Sequence, residues 1–570
     1  MHVPLLSFAL LLGAAAPAGG VAQALDRYIE SSVPAGFSGQ VLLADHGVVV
    51  LRKSYGFADR AHRIPFTNET RTGIASASKQ FTAAAILKLQ DQGKLAVTDP
   101  LSKFFPDVPA DKAKITLLQV ITHTSGLAGG FADDFTGSDD MSIVRELFAK
   151  PLTAPPGTRF RYSSEAYALL GTVIARASGT TYHDYLRREL FDPAGMTHSG
   201  FWSDRGTPAA HAYVGWVDNG DASTWPRSWR VNGSGDVLTT ASDLYAWDQA
   251  LHAGKILSPP ALQAYFTPLV DCGPFRPNAK YGYGLFFEQT DRGTPEIEHG
   301  GDTERGYNAA FSRFPSEGLV EIILANAYTA RGSSLRAAVQ PAVEAAYVDG
   351  KTPSFRSGTL VPAPALDRLT GTYDLPGGTL ALRSDGVYLW ATLGGQKTID
   401  ASLGYGADAK SLADADAQTA RLMDHLLAGD PSYYASVLAK DANGSTDDFV
   451  NEWKRLVARH GPLLGYEILG SRVSYAMTAS GPRVGDQAIT GVALHMRDSD
   501  AAISYFWLQR GAGQLVDSNP RSRPEPFIGV VTGDGRNQYQ ACDWLRDTCV
   551  AIDADLKGRH TLRGWNPADD

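Results

Sequence analysis

The feature that most restricts how this chain can fold is the apolar run Ala83 to Leu89. It follows directly on the stretch Thr72-Gly73-Ile74-Ala75-Ser76-Ala77-Ser78-Lys79-Gln80-Phe81-Thr82. The spacing predicts a helix over Ser78 to Gln92, with Ala83, Ala84, Ile86, Leu87 and Leu89 in the core and Gly93 as its stop. A helix this apolar has to be enclosed by other elements, so its N-terminal end becomes a rigid internal platform. Ser76 and Lys79 lie three residues apart at that end, and on a helix they share a face, about 5–6 Å apart at Cβ. A serine hydroxyl is a poor nucleophile until a neighbouring base takes its proton, and a desolvated lysine can be that base at neutral pH. Chance also produces Ser-x-x-Lys in a chain this long. A serine N-cap followed by a solvent-facing lysine accounts for this one at least as well.

Charge and leader narrow the class. The 570 residues carry a formal net charge of -9, with no basic run and no aromatic-basic interleaving, which excludes nucleic acid as a partner. Met1 to Ala24 reads as a secretory signal: Pro4 to Ala18 is mostly apolar, and Ala22-Gln23-Ala24 has the small-x-small form of a cleavage site. Its n-region holds no Lys or Arg, only His2. Maturation is expected near Leu25, which places the mature chain in the periplasm or outside the cell. No later segment has 18 apolar residues in succession, so no transmembrane span is expected in the mature chain. Among three cysteines, Cys542 and Cys549 are close enough to close a short disulfide loop in an oxidising compartment, leaving Cys272 unpaired. No Cys-His grouping has zinc spacing, so neither metal nor cofactor is expected.

In chain order, Ser38 to Tyr55 reads as a β-hairpin turning at Asp45-His46-Gly47. Thr116 to Ile121 reads as a short helix before His123-Thr124-Ser125-Gly126-Leu127, with His123 a structural histidine at a helix end. Gly129 to Asp140 has the composition of a rim loop. Tyr162 falls immediately before a helix over Glu165 to Ala177 that Ser163 or Ser164 can cap. Residues 200–235 carry Trp202, Trp216, Trp225 and Trp229, which either wall a cleft or are simply buried. Tyr281 to Phe287 is strand-like. Glu296 to Asp302 is a strand running into a glycine turn, followed by strands over Asn308 to Phe314 and Leu319 to Leu324 and a helix over Ser334 to Tyr347. Glycines beside a strand let backbone N–H groups approach a carbonyl oxygen as it becomes negative. The expected fold is α+β: an antiparallel sheet flanked by helices over 25–350, then a linker over 351–365 and an accessory α+β region. That region divides into a small β-rich unit, 366–412, and a second unit, 413–570, with helices over Ala413 to Leu427 and Thr446 to His460 and an antiparallel sheet after them.

Four separate elements thus offer the parts for acyl transfer, and together they carry a resemblance. Ser76-Ala77-Ser78-Lys79 resembles the nucleophile motif of the serine β-lactamase-related hydrolases, a family of class C β-lactamases, D,D-carboxypeptidases, D-aminopeptidases and family VIII-type esterases. Leu118 to Leu127 is similar to the family's Leu-x-His-x-Ser-Gly-Leu stretch, Tyr162-Ser163-Ser164 to its Tyr-x-Asn element, and His299-Gly300-Gly301 to its Lys/His-x-Gly strand. Gly235 to Trp247 resembles another family stretch, and the similarity runs in order over roughly residues 30–350. It implies the β-lactamase/D,D-peptidase fold and an acyl-enzyme mechanism. Ser76 is then the nucleophile, with Lys79 and Tyr162 sharing the proton transfers. The backbone amides of Ser76 and Asp302 are the oxyanion donors. His299, Gly300, Gly301 and Ser164 bind or tune the substrate.

Two departures bear on the substrate. Ser164 stands where the family's lactamases and peptidases have Asn, and one hydroxyl replaces an amide that both donates and accepts. His299 stands where class C β-lactamases have Lys. Efficient β-lactam hydrolysis is therefore disfavoured, leaving an ester or a D-amino-acid-containing amide or short peptide. The competing expectations are a weak or inactive penicillin-binding-fold protein that binds cell-wall peptide fragments, and a noncatalytic extracellular interaction module. Homo-oligomerisation stays open.

Overall fold

The computed structural model describes residues 18–129, 139, 141–204, 209–290, 293–303, 305–328, 336–348, 359–375, 378–394, 409–437, 446–478, 481–497, 499–509, 515–519, 530–533, 539–543, 548–552 and 563–564. Most of the leader and nearly all of the expected rim loop lie outside these residues. Helix α1, Ala18–Ser32, runs through the expected cleavage junction and buries Leu25 and Ile29. Among the described residues, no helix is long and apolar enough to cross a membrane.

The hairpin forms as its alternation requires. Strands β1, Gly39–Asp45, and β2, Val48–Tyr55, pair antiparallel around His46 and Gly47. Both turn residues have positive φ, which matches the right-handed twist of the strands they join. On its other side β1 pairs with Leu319–Ala325, so the two ends of the unit meet in one sheet. From edge to edge the sheet runs Val270–Asp271, Lys280–Tyr281, Phe286–Gln289, Pro295–Glu298, Asn308–Phe314, Leu319–Ala325, β1, β2, and every neighbouring pair is antiparallel. Gly301–Asp302 pairs separately with the start of Asn308–Phe314.

The sheet is covered on both faces, because alternate residues of its central strands are apolar on each side. Leu42, Ala44, Phe311, Ile322 and Leu324 face a layer of helices built on α2, Lys79–Asp91. Val41, Leu43, Ala310 and Ile323 face α1 and the helix Arg336–Val348. Every residue of α2 from Lys79 to Leu87 is buried, as the apolar run demands. This is the expected antiparallel sheet flanked by helices.

Three readings are refined. Tyr281 to Phe287 is two short strands, because Gly282 to Leu285 folds back in a tight turn with Gly284 at φ 73°. The strand that was expected to run into a glycine turn is Pro295–Glu298; it ends before His299-Gly300, and pairing resumes at Gly301–Asp302. The tryptophans divide: Trp202 and Trp225 lie in a buried cluster with Tyr307 and do not wall the cleft described below.

Beyond residue 358, helices Ala409–Leu427 and Thr446–His460 pack with the strands Leu463–Thr478 and Gly481–Met496, to which Ser499–Gln509 and Leu515–Asn519 add in a four-stranded sheet. The strands of the small β-rich stretch do not stand alone. Leu389–Gly394 pairs antiparallel with Val530–Gly533, so residues on either side of the four-stranded sheet share a second one. Within it, the backbone register sets Cys542 opposite Cys549. Cys272 is buried and free.

Candidate active site

Ser76 stands on a short 3-10 turn, Ala75–Ser78, that feeds directly into α2 at Lys79. The helix expected from Ser78 begins at Lys79, and the tighter turn before it eclipses residues three apart, which sets Ser76 and Lys79 on one side. Ala75, immediately before the serine, holds φ at 44°, a left-handed conformation that an alanine adopts only under constraint from its surroundings. That constraint comes from both sides. Thr72–Gly73 pairs with Val237–Thr239, and Gly301 presses on the turn from the sheet. A Cβ on Gly301 would fall 2.1 Å from the Ile74 carbonyl oxygen and 2.7 Å from the Ser76 nitrogen. Only a glycine lets this strand lie against the serine's backbone.

Lys79 is fully buried, and its Nζ reaches Ser76 Oγ at 2.9 Å, Ser164 Oγ at 3.2 Å and the Ser234 carbonyl at 3.2 Å. Its Nζ also lies over the Tyr162 ring, 4.8 Å from the centroid. The solvent-facing lysine allowed for in the sequence does not occur. Ser234 was missed: it makes its contact through the main chain, where side-chain identity carries no signal.

Tyr162 precedes the helix Ser164–Ser178, whose N-cap is Ser163, its Oγ accepting from the Ala166 N–H at 3.1 Å. Burial holds the Tyr162 phenol well above its ordinary range, against a smaller pull from the Ser76 hydroxyl. Across the cleft, Nδ1 of His299 faces the Gly300 carbonyl, which can only accept, so Nδ1 carries the proton. Nε2 is then an acceptor, and the Tyr162 hydroxyl donates to it at 3.4 Å. Burial, reinforced by the positive charge of Lys79, pushes His299 down to about 3, so the ring is neutral throughout the physiological range.

These groups open on a cleft of about 680 Å³ lined by Ser76, Tyr162, His299, Gly300, Gly301 and Asp302. Ser164 is not among its lining residues; its hydroxyl turns to Lys79. The far wall was not foreseen. Among the described residues it is built of Glu288, Glu296, Glu298 and Glu344 with Phe275, Phe286 and one cation, Arg276. Arg276 bonds to Glu298 and, at 2.6 Å, to Glu288. Glu288 and Glu296 sit directly opposite each other on neighbouring strands. Burial pushes Glu296 up to about 8, with Glu298 the next cause, and Glu288 up to about 6. In sequence these acids read only as the alternation of half-buried strands.

Comparison with known proteins places this arrangement. The chain is 32% identical over 254 residues to PbpX of Bacillus subtilis (strain 168), a match spanning 44% of this chain and 62% of that protein. It is 26% identical over 391 residues to another penicillin-binding protein of the same strain, covering 64% of this chain and 85% of that one. The crystal structure of a penicillin-binding protein from Bacillus halodurans, 28% identical, covers 57% of this chain and 98% of its own, with a TM-score of 0.48. The family profile described as Beta-lactamase matches residues 25–344, a stretch that holds the Ser76 turn, Tyr162 and the His299-Gly300-Gly301 strand together. By that match, which takes in more than half its length, the chain belongs to the Beta-lactamase family.

Proposed function

We propose that this protein is a serine hydrolase that works through an acyl-enzyme, on an ester or on a D-amino-acid-containing amide or peptide. The observation that carries the reading is the 2.9 Å contact between Lys79 Nζ and Ser76 Oγ at the edge of an open cleft. Ser76 Oγ forms a bond to the substrate carbonyl carbon while its proton passes to the neutral-amine form of Lys79. The bond to the leaving group then breaks as the Tyr162 phenol supplies a proton to it, and Lys79 returns a proton to Tyr162. A phenol whose pKa is held high keeps its proton until a leaving group of higher basicity appears, which suits Tyr162 to the acid role. In the second half water attacks the acyl carbon and the proton transfers reverse. The backbone amides of Ser76 and Asp302, brought together by the contact at Gly301, are assigned to the carbonyl oxygen as it becomes negative.

The acidic wall supports one substrate type over another. Even with Glu296 holding its proton at neutral pH, three glutamates among the described residues of the wall face an arginine that is already engaged, so the cleft favours a substrate with an ammonium near the scissile bond over one ending in a carboxylate. A panel of p-nitrophenyl esters, D-amino-acid amides, D-Ala-D-Ala peptides and a chromogenic cephalosporin tests the ranking. Esters and D-amino-acid amides are expected to turn over fastest; rapid cephalosporin turnover with poor ester and amide turnover would overturn it. The second reading, a penicillin-binding-fold protein that holds cell-wall peptide fragments, is favoured by the names of the two Bacillus subtilis relatives. It predicts that an activated serine probe labels Ser76 slowly or not at all, and that no member of the panel turns over. Export is part of the proposal, and sequencing the mature N-terminus checks it: a retained Met1 would contradict cleavage.

A further inference from the structure

The proposed chemistry at Ser76 makes no use of His123, yet three of its contacts converge on one side chain. His123 stands just after helix α3, Leu117–Ile121, whose N-terminus is fixed by a capping box between Thr116 and Gln119. Its own backbone is left-handed, with φ at 57°. In that conformation its carbonyl accepts the Arg161 N–H at 2.8 Å. Its Nδ1 accepts the Ser163 N–H at 3.1 Å. Its ring lies 4.4 Å from the Tyr162 ring, centroid to centroid, at 33°. The residue before Tyr162, the residue after it, and the tyrosine ring itself are therefore all held by one histidine.

We propose that His123 is a positioning residue that fixes the Tyr162 hydroxyl between Ser76 and His299. The inference rests on the reading of Tyr162 as the proton donor. The chemistry of the clamp requires histidine. An asparagine offers an acceptor for the Ser163 amide but no ring, and a phenylalanine offers a ring but no acceptor. The acceptor must also stay bare, since a proton on Nδ1 would face the Ser163 N–H. Burial, together with the charge of Lys79, keeps the ring neutral. Phe160, Tyr167 and Tyr281 enclose the rest of it, so the ring cannot swing away from Tyr162.

The test measures kcat and KM for D-alanine methyl ester, whose alkoxide leaving group has to be protonated, in His123→Phe, His123→Asn, Tyr162→Phe and the two double variants, with melting temperature followed in each. His123→Phe and His123→Asn are expected to lower kcat by about 10–100-fold, the cost of a misplaced catalytic group, with KM within about twofold. In the Tyr162→Phe background either change should lower kcat no further than about twofold, because the group it positions is gone. If the His123 changes lower kcat by the same factor with and without Tyr162, the histidine is merely structural and the inference fails. It also fails if both single variants keep the parent's kcat. Full activity in Tyr162→Phe alone would instead remove the reading of Tyr162, and this inference with it.

Discussion

Lys79 is fully buried, and its Nζ meets the hydroxyls of Ser76 and Ser164 and the Ser234 carbonyl, which can only accept; of these groups Ser76 is the one that lines the cleft. Lys79→Met is expected to slow acylation by about 10²–10⁴-fold, the usual contribution of a positioned base, in a stopped-flow burst with an activated ester. An unchanged burst rate would take Lys79 out of the chemistry. Ser76→Ala should abolish turnover with circular dichroism and melting temperature unaltered; full activity in a folded variant would sink the nucleophile assignment. Glu296 makes a prediction of the opposite kind. Its folded carboxyl titrates near 8 against an ordinary 4.5, so between those values the folded state keeps a proton that the unfolded chain has released. Its contribution is therefore most favourable below pH 4.5 and is lost as pH rises through about 8. Glu296→Gln should melt about 5 °C above the parent at pH 9 and level with it below pH 4.5, in thermal scans across that range. At this scale the Ser76, Lys79 and Tyr162 side chains were legible in the sequence, because their motifs hold fixed local spacings. The Glu288–Glu296 opposition was not, since cross-strand register joins residues that no local pattern relates.

Elements announced themselves where local chemistry decides them. Ser163 caps its helix and Thr116 its own, and the helix Thr446–His460 has the bounds its apolar period gives. Breaks within strands were hidden. Lys280–Tyr281 and Phe286–Gln289 read as one strand. At the glycine turn that was expected, His299 turns its ring to Tyr162 and the chain steps before Gly301 approaches the Ser76 turn. That approach yields a direct prediction. Gly301→Ala forces either the strand or the turn to move, because the new Cβ meets backbone and not the end of a flexible side chain. The expected cost is about 1–3 kcal/mol of stability, typical of overpacking, measured by urea denaturation. Activity should fall further, by about 10²–10³-fold, the loss seen when one oxyanion donor is displaced. A variant as destabilised as expected but fully active would show that the oxyanion donors lie elsewhere.

At the scale of the whole molecule, the appended region is tied to the hydrolase-like unit by a charge that neither part could bury alone. Arg60, 1% exposed, bonds through Nη1 to Asp385 at 2.8 Å and to the Gly215 carbonyl at 2.8 Å. Its guanidinium lies 4.0 Å from the Tyr213 centroid and 4.9 Å from that of Tyr388, while Trp390 donates from Nε1 to Asp385 at 3.0 Å. Asp385→Ala leaves the guanidinium buried without its carboxylate and should cost about 3–5 kcal/mol. In limited proteolysis it should speed separation of the two parts relative to the parent; equal rates and equal stability would mean that the pair does not hold them together. The sequence by itself determined the class of fold, the buried helix and the order of the chemical motifs, because apolar periodicity, caps and Ser-x-x-Lys spacing act over a few residues. Only the tertiary structure decided what closes on Ser76: the Ser234 carbonyl, the backbone of Gly301, the glutamate wall and the His123 clamp. Each of these joins segments far apart in the chain through register, main-chain contact or ring packing, and none of those leaves a local pattern in the residues that make it.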